Sequence, residues 1–232
     1  MAEPAPVMVV TGTGTGVGKT VTTAALTVGF QEHGLRVVVV KPAQTGVTEG
    51  QPGDLAAVGR LVGEVETHEL LRLPDRLAPD TAGRRAGVPL LPVAEHAHRV
   101  LSLAARADVD LVLVDRTGGL LVRLDDAGQT LADLGTGLQH RHARVGYVVV
   151  ARAGLGTLNH SALTAEALRH RDLECLGFVI GAWPAEPDLA ARTNLSDLPS
   201  VTDAPLLGRI PEGAGGWDPE RFRREAPAWL AL

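Results

Sequence analysis

The chain has 232 residues and a mass of 24.3 kDa, with 45% hydrophobic and 21% charged residues, enough to bury a substantial core in one α/β domain spanning residues 1–232. A formal net charge of −5 and a pI near 5.9 provide no basic field for nucleic acid or an anionic membrane, and no apolar run approaches the ~18 residues of a membrane span. The N-terminus lacks the cationic start and apolar core of a signal peptide, and one cysteine, Cys175, excludes an internal disulfide, so a reducing cytoplasm is expected.

The first expected strand, Val7–Val10, runs into Gly12-Thr13-Gly14-Thr15-Gly16-Val17-Gly18-Lys19-Thr20. Nucleotide phosphates need this order of parts. Glycines let backbone N–H groups turn toward an anion with no Cβ in the way, and a following helix brings its positive N-terminal end to the same point. Lys19 supplies a mobile charge for the outer phosphates, and the hydroxyl of Thr20 can ligate Mg²⁺. The spacing G-x-x-x-x-G-K-[ST] wants glycine at position 13; here Gly12 stands one step early. Val21, Ala24, Ala25 and Val28 then follow helical periodicity, and Gly34 can terminate that helix.

Val37–Val40 is the second expected strand, and Lys41-Pro42-Ala43-Gln44-Thr45-Gly46 leaves its end. Asp54 precedes the helical pattern of Leu55, Val58 and Val62, where it can act as a helix cap, face a hydrated metal, or do both. Leu111–Val114 forms a third strand ending in Asp115, a second carboxylate suited to Mg²⁺, and Gly118-Gly119 permit close backbone approach to a ligand. Further strands are expected at Val145–Val150 and Leu173–Ile180, with a weaker one around Pro205–Gly208. Cys175 reads as a small core residue within its strand rather than as a nucleophile. Thr157 can cap a helix running to about Arg169, and Asp218-Pro219-Glu220 opens the last helix, which Pro227 limits. Residues 199–216, rich in Pro and Gly, read as loop. His96/His98 and His140/His142 are i, i+2 pairs that do not share a helix face, and read as surface or capping residues. β-branched runs alternating with helical patterns imply a mostly parallel sheet between two helical layers, with ligands at the carboxyl ends of the strands.

Taken together, these strand-end residues resemble the dethiobiotin synthetase family over nearly the whole chain. The likeness rests on Thr11–Thr20 and Lys41–Gly46, with support from Asp54, Gly118-Gly119, Leu155-Gly156-Thr157-Leu158-Asn159-His160 and Leu207-Gly208-Arg209-Ile210-Pro211. The resemblance implies a three-layer P-loop NTPase-like fold and a homodimer. It implies ring closure of 7,8-diaminopelargonic acid with CO₂, through a carbamate and a carbamic–phosphoric anhydride, using Mg²⁺ and ATP or another triphosphate such as CTP. Lys19, Lys41 and Thr15 would be catalytic. Thr15, Gly16, Val17, Gly18, Lys19, Thr20, Asp54, Asp115 and Gly118 would hold the nucleotide on the phosphate side. Gly181, Ala182, Pro211, Glu212 and Gly213 would also bind the nucleotide. Thr20, Asp54 and Asp115 would carry the metal. Thr45, Lys41 and Gly118 would bind substrate, and Asn159 would hold the substrate carboxylate belonging to the other subunit.

Two departures stand out. The family usually has Glu-Gly-Ala-Gly-Gly where this chain reads Asp115-Arg116-Thr117-Gly118-Gly119, and its better-known members place an adenine-reading asparagine at the position of Gly181. The alternatives are a partition- or septum-type ATPase, which carries a signature lysine where this chain has Gly14, and a non-catalytic nucleotide-binding module that lost its chemistry through the Asp115-Arg116-Thr117 change. A glutaminase-dependent ring amidase would need a longer chain with a cysteine nucleophile.

Overall fold

The computed structural model describes residues 6–115 and 118–231. In chain order the elements are β1 (Val7–Gly12), α1 (Lys19–Glu32), β2 (Val37–Lys41), β3 (Gln44–Thr45), α2 (Asp54–Val62), β4 (Glu66–Glu69) and β5 (Arg72–Leu73). Then come α3 (Pro79–Ala86), α4 (Val93–Ala104), β6 (Leu111–Asp115), α5 (Leu131–Gln139), β7 (Val145–Ala151) and α6 (Thr157–Arg169). The chain closes with β8 (Glu174–Trp183), α7 (Leu189–Thr202), β9 (Leu206–Pro211) and α8 (Pro219–Glu225). Seven strands form one sheet in the order β4-β2-β6-β1-β7-β8-β9, and neighbouring strands within it pair in parallel. β3 and β5 pair separately beside it.

The hydrophobic runs are continuous because both faces of the sheet are covered. In β2, Val38 and Val40 enter the layer that holds residues of α4, α5 and α6, while Val37 and Val39 enter the layer of α1, α2 and α8. Strand periodicity of two sorts identical valines into two cores. β1 lies between β6 and β7, where the strand order reverses. The loops after β1 and β6 therefore diverge around a crevice at the carboxyl edge, the usual ligand position in an open sheet of this kind. No helix among the described residues is long and apolar enough to cross a membrane.

Several local expectations are corrected. Gly156, at φ 88°, takes the N-cap of α6, so Thr157 is its first helical residue rather than its cap. Gly53 likewise caps α2, and the Asp54 carboxylate points elsewhere. His96 is fully buried on the inner face of α4 rather than at the surface. Residues 199–216 are not one loop, since they include the end of α7 and all of β9. Other expectations hold. Asp218 caps α8 by accepting from the N–H groups of Glu220 and Arg221. Cys175 sits half-buried on β8, and burial pushes its thiol up to about 11, as befits an inert packing residue.

Candidate active site

The glycine loop is shaped by how tightly it packs on β8. A Cβ on Gly18, whose φ is 100°, would lie 2.3 Å from the carbonyl oxygen of Gly181, and one on Gly181 would lie 2.1 Å from that of Val17. Neither position can hold a side chain without moving the loop. Gly12 is constrained too: a Cβ there would sit 2.8 Å from Val17 Cγ2, a reason for glycine at the early position. Lys19 folds back over the loop and donates to the carbonyl of Gly14 at 2.7 Å. No side chain caps the N-terminus of α1, so its leading N–H groups are disposed toward an anion.

The loop forms one wall of a cleft of about 540 Å³, contributing Thr15, Gly16, Gly18, Lys19 and Thr20. Thr45 and Asp54 line it from the segment after β2, and Gly118 from the segment after β6. Arg76, Leu77, Ala78 and Pro79 also line it; sequence reasoning missed this segment, although Pro74 and Pro79 bracket it as a loop.

Lys41 and Asp115 are both fully buried. The Lys41 ammonium donates to Asp115 at 2.9 Å and also to Asp54, whose side chain remains 36% exposed. Burial works to lower the Lys41 pKa, but the charges of Asp115 and Asp54 and their hydrogen bonds outweigh it, leaving the group above the ordinary lysine value. Lys41 is thus held as an ammonium. Thr23 Oγ1 donates to the other oxygen of Asp115 at 3.3 Å. Gln44 fixes the backbone of Asp54: its Oε1 accepts from the Asp54 N–H at 2.8 Å, while its Nε2 donates to the Thr45 carbonyl at 3.1 Å. Thr23 and Gln44 were not singled out by sequence, because their roles depend on partners brought together by folding. Lys19 and Lys41 are the two lysines of the entire chain.

Of the three expected metal ligands, Thr20 and Asp54 place a hydroxyl and a carboxylate on one cleft, whereas Asp115 does not line it, being fully buried against Lys41 and Thr23. Among the described residues no group of three or more His, Cys, Asp or Glu forms a self-contained metal cage. A few hard oxygen donors beside a phosphate cradle suit Mg²⁺, which usually keeps waters and takes one or two carboxylates plus phosphate oxygens. The residues present fit that ion.

The remaining expected residues do not line this cleft, and Pro211 lines a separate one with Trp183 and Trp229. Val17 is buried within the loop. Gly181 backs the loop and Ala182 follows it at the surface. After Pro211, the Glu212 N–H donates to the Trp183 carbonyl at 2.8 Å, and Gly213 turns the chain at φ 77°. Gly215 then packs against Val21, which lines the cleft, and Arg60 holds this loop through the carbonyls of Gly215 and Trp217. Asn159 lies outside the cleft, exposed at the start of α6 near Leu155, which is 95% exposed. Arg116 and Thr117 lie outside the described residues.

A family model described as an AAA domain matches residues 7–215. The ATP-dependent dethiobiotin synthetase BioD of Streptomyces avermitilis is 53% identical over 227 residues, covering 97% of this chain and 92% of that protein. The protein of the same name from Saccharopolyspora erythraea is 54% identical over 225 residues, covering 97% of this chain and 95% of its own length. Among solved structures, the septum site-determining protein MinD of Pyrococcus horikoshii, complexed with Mg-ADP, aligns with a TM-score of 0.60 at 19% identity, over 97% of this chain and 91% of that one. The cell division protein FtsY of Thermotoga maritima aligns with a TM-score of 0.57 at 18% identity, over 98% and 70% of the two chains. At such identities these two structures establish the P-loop sheet alone. High identity across nearly the full length of both partners, together with the phosphate loop and the Lys41 cleft, establishes that this chain belongs to the ATP-dependent dethiobiotin synthetase family.

Proposed function

We propose that the cleft between the glycine loop and the Lys41–Asp54 segment is where this chain, working as one domain, closes the ureido ring of dethiobiotin. In that reaction one amine of 7,8-diaminopelargonic acid captures CO₂ as a carbamate. The γ-phosphoryl group of a nucleoside triphosphate converts the carbamate to a carbamic–phosphoric anhydride. The second amine attacks the carbonyl carbon, and phosphate departs as the ring closes.

The loop N–H groups from Gly16 to Thr20 and the Lys19 ammonium bind the phosphates and stabilise charge on the transferring group. Thr20 and Asp54 would hold Mg²⁺, with Asp115 supplying a second negative charge to the site. Bound there, the ion neutralises phosphate oxygens. Lys41 holds a carbamate oxygen beside the γ-phosphate, and Thr15 and Thr45 orient carbamate and diamine. Gly118 lets backbone approach the ligand closely. Gly181, Ala182, Pro211, Glu212 and Gly213 flank the nucleobase.

The enzyme acts as a homodimer in this reading, with Asn159 of a second copy binding the substrate carboxylate. The exposure of Asn159, Leu155 and Leu163 away from the cleft supports that assignment. A cytoplasmic setting suits the single, inert thiol. The observation that carries the proposal is the buried Lys41 ammonium beside a cleft that already holds Lys19.

The test is mass-spectrometric detection of dethiobiotin, with phosphate release followed in parallel. Product should appear with diamine, bicarbonate, Mg²⁺ and nucleotide, and phosphate release should require both diamine and bicarbonate. Hydrolysis independent of both would instead indicate a switch ATPase, and no turnover at all would indicate a non-catalytic module.

A further inference from the structure

Lys41 makes two contacts of different kinds. Asp115 is fully buried, accepts from Thr23 as well, and shares with Lys41 a site closed to water. Asp54 is partly exposed, lines the cleft, and is the carboxylate that an incoming cation can reach. Its backbone is fixed by Gln44 and by the start of α2. The lysine terminus, by contrast, sits on a flexible four-carbon stem.

We propose that the Lys41 ammonium and the divalent cation of the nucleotide compete for the Asp54 carboxylate. Loading the metal nucleotide then frees Lys41 from Asp54 toward the carbamate, while Asp115 retains it as an anchored ammonium. The inference rests on the metal role proposed for Asp54. Its physical basis is that a divalent ion on the Asp54 carboxylate would stand within a few ångströms of the Lys41 ammonium, and these like charges repel strongly in a site largely closed to water. Because Asp54 is tied at its backbone, the lysine is the partner able to yield. Lys41 would thereby act on substrate only after the phosphoryl donor is in place.

Linkage makes this testable without turnover. If metal binding breaks the Lys41–Asp54 contact, removing that contact must tighten metal binding by the same factor. Mn²⁺ serves as the probe, measured by electron paramagnetic resonance with a non-hydrolysable ATP analogue bound. Lys41→Met should bind Mn²⁺ about tenfold more tightly than the unmodified enzyme, within the usual range of coupling between sites. Equal or weaker binding overturns the proposal. Asp54→Asn is the control for the underlying reading: if it leaves Mn²⁺ affinity intact, the metal assignment itself is wrong.

Lys41→Met leaves Asp115 without its ammonium, so a second measurement uses the unmodified chain. With two lysines in the sequence, ε-¹³C-lysine labelling yields two resonances. Adding Mg²⁺ to the analogue complex should shift the Lys41 resonance, and Asp54→Asn should produce most of that shift without metal. A Lys41 resonance indifferent to both changes overturns the proposal.

Discussion

At the scale of single residues, the proposed reaction assigns phosphate binding to Lys19 and carbamate chemistry to Lys41. On that assignment Lys19→Ala removes a phosphate contact and should weaken nucleotide binding. Lys41→Ala should leave nucleotide affinity near normal and abolish dethiobiotin formation. Isothermal titration beside the mass-spectrometric assay distinguishes them, and near-normal product from Lys41→Ala would remove that residue from the mechanism. The raised pKa of Lys41 also sets a sign for pH dependence. Its ion pairs contribute stability fully below the ordinary lysine value of ~10.4, and that contribution is lost as pH rises through the higher folded value. Thermal unfolding followed from neutral pH upward should show no loss from this group until strongly alkaline solution. Gly181 bears on base selection. With a Cβ position 2.1 Å from the Val17 oxygen, it can offer no side-chain amide to adenine. A bidentate contact of that kind is worth roughly 1–3 kcal/mol in adenine readout, so CTP should compete within about tenfold of ATP. Strong ATP selectivity in a competition titration would mean that backbone groups read the base.

At the scale of elements, β7 and α5 show how packing sets what a segment tolerates. Tyr147 is fully buried on β7 and donates to the Leu131 carbonyl at the start of α5, 2.9 Å away. Gly135, one turn along α5, leaves room for that ring: a Cβ there would lie 2.0 Å from the Tyr147 hydroxyl. Gly135→Ala raises helix propensity yet should destabilise the fold by about 1–3 kcal/mol through overpacking. Chemical denaturation decides the sign, and a stabilised variant would show that the helix can shift at little cost. The same scale shows what was legible. The valine runs of β1, β2, β6 and β7 announced themselves because both sheet faces are buried. β4 did not, since Glu66-Thr67-His68-Glu69 is a polar edge strand held by pairing with β2 and by ion pairs such as Arg106–Glu66. α7 was obscured by Pro199, which its last turns accommodate.

At the scale of the whole molecule, the reading of Asn159 requires two chains for each site. Asn159→Ala and Lys41→Ala, each nearly inactive, should partly restore activity when mixed under conditions of subunit exchange. A mixed dimer would hold one site free of both changes. Sedimentation of a fully active monomer would contradict this arrangement.

The glycine loop was legible in the linear sequence because its parts are contiguous: a strand, glycines, Lys19, Thr20 and a helix follow one another within a few turns of chain. The alternation of valine runs and helical patterns was enough for the fold class, since burial on both faces leaves a one-dimensional trace. Lys41, Asp54 and Asp115 could be named as strand-end and helix-start residues, but not as an ion-paired group, because they are separated by 13 and 74 positions from lysine to each acid. Only the sheet order, with β6 beside β2, brings Asp115 to Lys41. Tertiary structure alone decided that this lysine is a buried ammonium, that Thr23 holds the Asp115 carboxylate and Gln44 the Asp54 backbone, and that Gly181 must remain without a side chain. Each of those properties depends on distances between segments, which folding sets and local sequence pattern does not encode.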